Sequence, residues 1–319
     1  MCMFILGYGR KCEKAKGCDF VSSFVKQWNK YKYPYMFIAP AVLLLTLFSI
    51  VPIIIALVIS FTDMDLVGLA DYSNISGVGF SNYLEIFKDP IFLKSMYNTL
   101  IYVAVGVPMV VIASMAVALL LNYGTGWLFK SFRVIYYMPS ITNIVAVAVV
   151  WGYLYNGSYG LFNYILSVFG LPAQQWLQDP VLAKFSLILL AFWKSIGLNM
   201  IIFLAALQGI PRSYYEAAEI DGATGWKKLR YITVPLLGFA TFFVTITTLI
   251  GWIQFFEEPL VMTKGGPLNA TMSMALFIYN NGFQLSKFGY AASGSFVLFI
   301  IIIIVTLIQF AVKKKEVEY

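Results

Sequence analysis

Long apolar runs alternate with short polar segments along this chain, and six runs are long enough to cross a membrane: 36–61, 97–121, 134–155, 183–209, 233–256 and 290–312. About 20 helical residues traverse a hydrocarbon layer. A backbone in lipid must satisfy its own hydrogen bonds, so these runs are predicted to be helices. The expected fold is an all-α polytopic membrane protein with six transmembrane helices. Pro139 falls in the first turns of the third run, where a missing backbone donor costs least, so that span is expected to continue through it.

Charge then gives the orientation. With both termini in the cytoplasm, the inner segments hold sixteen of the 22 Lys and Arg residues, and the outer ones hold only Lys88, Lys94, Lys184, Lys264 and Lys287. Positive loops stay inside, and an even number of spans agrees with two inner ends. The net charge of +7 is therefore a signal of topology, and no nucleic-acid partner is expected. Residues 1–8 are apolar but precede the basic residues, the reverse of a signal peptide's order. Residues 1–33 are expected to form a cytoplasmic lead-in and 34–319 the membrane domain. Cys2, Cys12 and Cys18 lie in the lead-in, and with no His in the chain they predict neither a metal site nor a disulfide.

The missing chemistry narrows the function. All 15 carboxylates fall outside the proposed spans, whereas a proton-coupled transporter needs an ionisable group near mid-membrane. There is no GxxxxGK[ST] phosphate loop. No nucleophile sits beside an evident base, so no catalytic residue is assigned. A secondary transporter working alone and a polytopic membrane enzyme are both disfavoured. Driven transport would draw its energy from another polypeptide.

One polar stretch carries most of the information: Ile210 to Pro235, between spans four and five. Pro211 can open a short helix, where its missing donor is no cost. Ile210, Tyr214, Ala217 and Ala218 then share a face. Gly222 stops the helix, and Thr224 can cap a second one. Small Ala side chains permit close approach to a groove, and Glu216 offers a charge that sets register. The residues alone fit equally an amphipathic loop lying on the lipid surface.

Glu216-Ala217-Ala218, then Asp221-Gly222-Ala223, then Ile232-Thr233-Val234-Pro235 resembles the EAA loop of bacterial ABC importer permeases. Further similarity runs over roughly residues 36–312. It includes Phe80 to Phe87 with Asp89, Asn98-Thr99, Phe132 to Pro139, Trp151, Phe256-Glu257, Met262 to Pro267 and Ala270-Thr271. Together these resemble carbohydrate importer permeases of the maltose and glycerol-phosphate group. The front end departs from the maltose type, lacking extra spans and a large outer domain, and looks like the shorter six-span members.

The resemblance implies a MetI-like permease fold with a core of about 97–312, in the bacterial cytoplasmic membrane. It implies that Tyr215, Glu216, Ala217, Ala218, Asp221, Gly222 and Ala223 form a cytoplasmic coupling helix against an ATPase. The implied partners are a second homologous permease, two ATPase subunits that carry the ATP and Mg, and an external solute-binding protein. The implied cargo is a carbohydrate, and this chain itself would hold no cofactor.

A sugar passage pairs hydroxyl-binding groups with an aromatic face. Thr248, Trp252 and Phe255 share one face of span five, with Gln254 and Glu257 beside them, and are candidate pathway residues. Equally, Trp252 fits an aromatic belt or helix packing. Lys194 and Asn199 in span four form a second group, Lys194 lining the path or pairing with an acid of the partner permease. Asn143 on span three is expected at most to bond a neighbouring helix. The Gly265-Gly266-Pro267 turn is the most shaped part of the outer face, a candidate docking point for the binding protein or else a plug of the outer mouth.

Overall fold

The computed structural model describes residues 33–124 and 126–313. The lead-in with Cys2, Cys12 and Cys18 lies outside the described residues, as do Lys314 and Lys315. The chain divides into two compact units, Met1–Val58 and Ile59–Tyr319.

The described part of the first unit belongs to one 27-residue helix, α1 (Tyr33–Ile59). It is apolar on every side and exposed, with Phe37 82% and Phe48 71% accessible. A helix of that kind belongs in lipid or against another membrane subunit. Pro52 cannot donate to the carbonyl four residues back, and just before it the helix widens into a π turn at Thr46–Ile50, closed by the Val51 N–H on the Thr46 carbonyl.

The described residues of the second unit are mostly helical. In order come α2 (Leu66–Ala70), α3 (Ser81–Ile86), α4 (Pro90–Asn122), α5 (Trp127–Ile141), α6 (Ile144–Leu154) and α7 (Leu161–Val168). Then follow α8 (Pro180–Gln208), α9 (Arg212–Ile220), α10 (Gly225–Leu236), α11 (Gly238–Ile253), α12 (Met274–Tyr279) and α13 (Phe288–Lys313). Among the described residues, β pairing is limited to an isolated bridge between Thr62 and Gly77. Among the described residues, four helices are long and apolar enough to cross a membrane alone, and the count is six when each bent pair is one span.

The long helices begin earlier than hydropathy indicates, because caps set their starts. Asp89 accepts from the N–H groups of Ile91 and Phe92 at 2.7 and 3.3 Å, with Pro90 at the first helical position. Asp179 and Pro180 repeat the arrangement, accepting from Val181 and Leu182 at 2.9 and 2.8 Å. An acceptor followed by a residue that needs no donor is a strong helix start.

The third span is not the single helix expected. α5 and α6 meet at 101°, and the break falls at Thr142 and Asn143. Pro139 therefore stands in the last turns of α5, buried, rather than in the first turns of a span. Asn143 is spent locally: its side chain accepts from the Val145 N–H at 2.8 Å and caps α6, so it does not bond a neighbouring helix. The fifth span is also bent, by 62° between α10 and α11.

The core sits where α4, α8 and α11 converge, with α5 laid along α8. Small residues allow the close approaches. A Cβ at Gly106 of α4 would overlap the Trp252 ring of α11. One at Gly197 of α8 would overlap the Tyr136 carbonyl of α5, and the Ser140 hydroxyl donates to the Lys194 carbonyl at 2.7 Å across the same seam. In lipid, where apolar surface alone does not drive helices together, such contacts supply much of the association.

Outside the spans, the segment 257–287 folds back into the core. α4 holds it with one polar stripe at helical spacing. Asn98 donates to the carbonyls of Asn269 and Met272 at 3.0 and 2.8 Å, and the Tyr102 hydroxyl donates to that of Thr271 at 3.0 Å. Thr99 accepts from the Met274 N–H at 3.0 Å, and Lys94 donates to the Leu268 carbonyl at 2.7 Å.

Two outcomes test this packing. Gly197→Ala, which has rigid backbone on the far side of the seam, should cost about 1–3 kcal/mol and lower the unfolding temperature of the purified complex, read by intrinsic fluorescence. Asn98→Ala strips two buried carbonyls of their donor, at about 1–3 kcal/mol. It should speed tryptic cleavage at Lys264 several-fold while the bonds after Arg212 and Arg230 are cut as before.

Candidate coupling loop and translocation cavity

α9 leaves the membrane end of α8 through Pro211 and closes with two reciprocal backbone bonds. The Ala223 N–H donates to the Ala218 carbonyl at 2.8 Å, and the Gly222 N–H donates to that of Glu219 at 3.0 Å. This Schellman closure needs a left-handed residue just past the helix, and Gly222 has φ +72°. Thr224 occupies the position before α10 as expected, but its side chain makes no capping bond there.

Two side-chain contacts brace the loop. The Tyr215 and Thr233 hydroxyls are 3.1 Å apart, and Lys228 Nζ lies 2.7 Å from Glu219 Oε1. The seven candidate coupling residues therefore divide into two groups. Tyr215, Ala218 and Ala223 are half-buried and hold α9 to its base, while Glu216, Ala217, Asp221 and Gly222 are exposed. Tyr214 lies on the exposed side too, so the single face expected for Ile210, Tyr214, Ala217 and Ala218 is split. Ile220 at 88% and Trp226 at 69% accessible join the exposed surface, and hydropathy patterning did not single them out. A large apolar residue that a helix turns away from its own protein is the signal that would have found Ile220.

Between α8 and the end of α11 lies a cavity of about 480 Å³. Of the candidate pathway residues, Asn199, Thr248, Trp252, Gln254, Phe255 and Glu257 line it. Lys194 reaches it through Glu257, with Nζ 3.3 Å from Oε2. That contact corrects the expectation of an acid from another subunit: the acid is in the same chain, 63 residues on. Ser195, Thr247 and Glu258 also line the cavity and were not anticipated.

The aromatic pair is not a free stacking surface. α11 ends at Ile253, so Phe255 lies past the helix, yet its ring stacks on Trp252 at 5.4 Å and 6°. The other side of Phe255 meets Tyr102 at 4.7 Å, and Trp252 fills the space over Gly106. Both rings are about 5% accessible, so packing is their first role.

Polar groups are what the wall offers. Thr245 and Thr247 return their hydroxyls to carbonyls four residues back, at 2.6 and 2.9 Å. Thr248 does not, and its hydroxyl is buried with no hydrogen-bond partner. A buried hydroxyl without a partner is costly and uncommon. Glu258 is 8% accessible, and burial pushes its carboxyl above the ordinary value, against the pull of Lys194.

The Gly265-Gly266-Pro267 turn, expected on the outer face, is drawn inward and does not project. Gly265 is buried, and the Thr271 hydroxyl donates to the Gly266 carbonyl at 2.6 Å. The exposed points of the turn are Lys264 and Leu268. Elsewhere, Asp63 accepts from both the hydroxyl and the backbone of Ser76, bonds that hold its carboxyl below the ordinary range.

Comparison with known proteins agrees with this arrangement. Residues 77–316 match the model of the family described as the inner membrane component of binding-protein-dependent transport systems. The lactose transport system permease protein of Rhizobium radiobacter is 34% identical over 281 residues, spanning 86% of this chain and 92% of that protein. The sn-glycerol-3-phosphate transport system permease protein of Yersinia pestis bv. Antiqua is 31% identical over 292 residues, 90% of this chain and 95% of that one. A chain of the bacterial alginate ABC transporter, solved with an alginate pentasaccharide-bound periplasmic protein, superposes with a TM-score of 0.77 over 89% of this chain and 94% of its own, at 22% identity. Its likeness is one of fold. The chain is a permease and belongs to the family of inner membrane components of binding-protein-dependent transport systems.

Proposed function

We propose that this permease is one of two membrane halves of an ATP-driven importer that carries a carbohydrate from an external solute-binding protein into the cytoplasm. The observation that carries the reading is α9: a short helix clear of the membrane core, braced at both ends, with Glu216, Ala217 and Ile220 turned outward. Nothing within the described chain uses that surface, and small residues beside one charge suit a helix seated in a groove of another protein. Two ATPase subunits, holding ATP and Mg, would close on each other and move α9. Charge asymmetry supports placing α9 and both termini on the cytoplasmic side.

The cavity beside α11 is the proposed passage, completed by a second, similar permease. Thr248, Ser195, Asn199 and Gln254 supply groups suited to sugar hydroxyls, and the stacked rings of Trp252 and Phe255 form a stiff apolar floor. The carbohydrate assignment draws on relatives named for lactose and for sn-glycerol 3-phosphate transport. The solute-binding protein would meet the outer face at Lys264 and Leu268, around the Gly265-Gly266-Pro267 turn.

Glu216→Lys should abolish co-purification of the ATPase and uptake together while the permease pair still assembles. Uptake that persists in proteoliposomes without any ATPase would refute the reading. Thr248→Val keeps the shape and removes the unpartnered hydroxyl. Loss of one hydrogen bond to sugar, about 1–1.5 kcal/mol, should raise the half-saturating substrate concentration of uptake some five- to tenfold, with the melting temperature of the complex held or raised. Unaltered saturation would remove Thr248 from the passage.

A further inference from the structure

The charges around the cavity select among carbohydrates. The permeases similar to this chain include one named for an uncharged disaccharide and one named for a phosphate ester, so likeness leaves the choice open. We infer that the wall this chain contributes to the passage offers anions no attraction, and that its cargo is an uncharged sugar, neither phosphorylated nor carrying uronic acids. The inference rests on the cavity beside α11 being the passage.

The argument is a count of charges at short range. Three ionisable groups stand at the cavity: Glu257 and Glu258 in its wall and Lys194 behind Glu257. Lys194 is the sole cation of the three, and its ammonium group is engaged by Glu257 at 3.3 Å. That pair sums to zero. Glu258 then decides the sign: ionised, it makes the wall negative; protonated, it makes the wall neutral and adds an O–H donor suited to a hydroxyl. Neither state is positive. The other polar groups at the wall, those of Ser195, Asn199, Thr247, Thr248 and Gln254, are uncharged.

A phosphate or carboxylate entering such a space would shed water without meeting a free cation. Anion sites are built the other way, from guanidinium or ammonium groups left open to the ligand or from several converging N–H donors. Here the one ammonium group is already taken, and displacing Glu257 from it would leave a second carboxylate facing the anion. An uncharged polyol meets no such penalty, since hydroxyls both donate and accept and so match amide, hydroxyl and carboxyl partners alike. Glu258 is thus a specificity-determining residue of the wall.

Site-directed thiol labelling of the whole reconstituted complex, including the partner permease and ATPase, reads the sign directly. Gln254→Cys and Thr247→Cys place thiols at two exposed points of the cavity wall. Each is treated separately with cationic and anionic methanethiosulfonate reagents, and modification of that residue is followed by mass spectrometry. Rates are divided by those of a free thiol. The expected result is a cationic-to-anionic ratio of one or more at both positions. Lys194→Gln should raise it further, since one unit charge at ~4 Å in water shifts each reagent about fivefold and in opposite directions, about 25-fold in the ratio. An anionic reagent that reacts faster at either position overturns the inference, as does stimulation of the complex's ATPase by sn-glycerol 3-phosphate or an alginate oligosaccharide with its binding protein. If neither cysteine reacts with any reagent, the cavity is not an aqueous passage, and the pathway reading falls instead.

Discussion

One half of this molecule depends on satisfying irregular backbone inside a membrane protein. The segment 257–287 turns back into the core with only one short α-helix and two π turns, so several of its carbonyls lack an intrahelical partner. Water is scarce there, and each unsatisfied group costs several kcal/mol. α4 supplies the missing partners from Lys94, Asn98, Thr99 and Tyr102, residues four, one and three positions apart, which is one helical stripe. Because Tyr102 also meets Phe255, that stripe fixes the end of α11 and with it the cavity floor. The cavity is shaped on that side by hydrogen bonds to backbone.

Much of this was legible in the sequence, and the failures have physical causes. The apolar runs located the four long helices to within several residues, since burying them in lipid dominates all other preferences. Their ends were missed where polar caps, Asp89-Pro90 and Asp179-Pro180, extend a helix beyond the apolar run. The break at Thr142 and Asn143 was missed because Pro139 drew attention to itself, while the chain turns only where Asn143 offers the next helix a cap. The π turn at Leu229–Thr233, like that at Thr46–Ile50, lies close to a proline, Pro235 here and Pro52 there.

For the site, helical spacing in span five brought Thr248, Trp252 and Phe255 to one cavity, and similarity to permeases singled out α9. What spacing could not tell was which surfaces remain free. Trp252 and Phe255 looked like a stacking platform in one dimension, but in three they cover each other and Gly106. Lys194 looked unpaired because Glu257 lies 63 residues away, beyond the reach of any local pattern. Glu258 was passed over as part of an outer loop, although burial sets it apart from its neighbour Glu257. Long-range pairing and burial are the quantities that a single sequence carries least directly.

The two braces of α9 have a mechanical consequence. Tyr215 to Thr233 and Glu219 to Lys228 tie one short helix to the next at separate points, as diagonal struts stiffen a frame. In elements joined in series, strain collects in the most compliant one. The joint that neither brace spans is the 62° elbow at Leu237, where α10 gives way to α11. A push on α9 from a docked protein would be spent as rotation at that elbow, and α11 would carry it to the cavity as a lever arm of about 24 Å for its 16 residues.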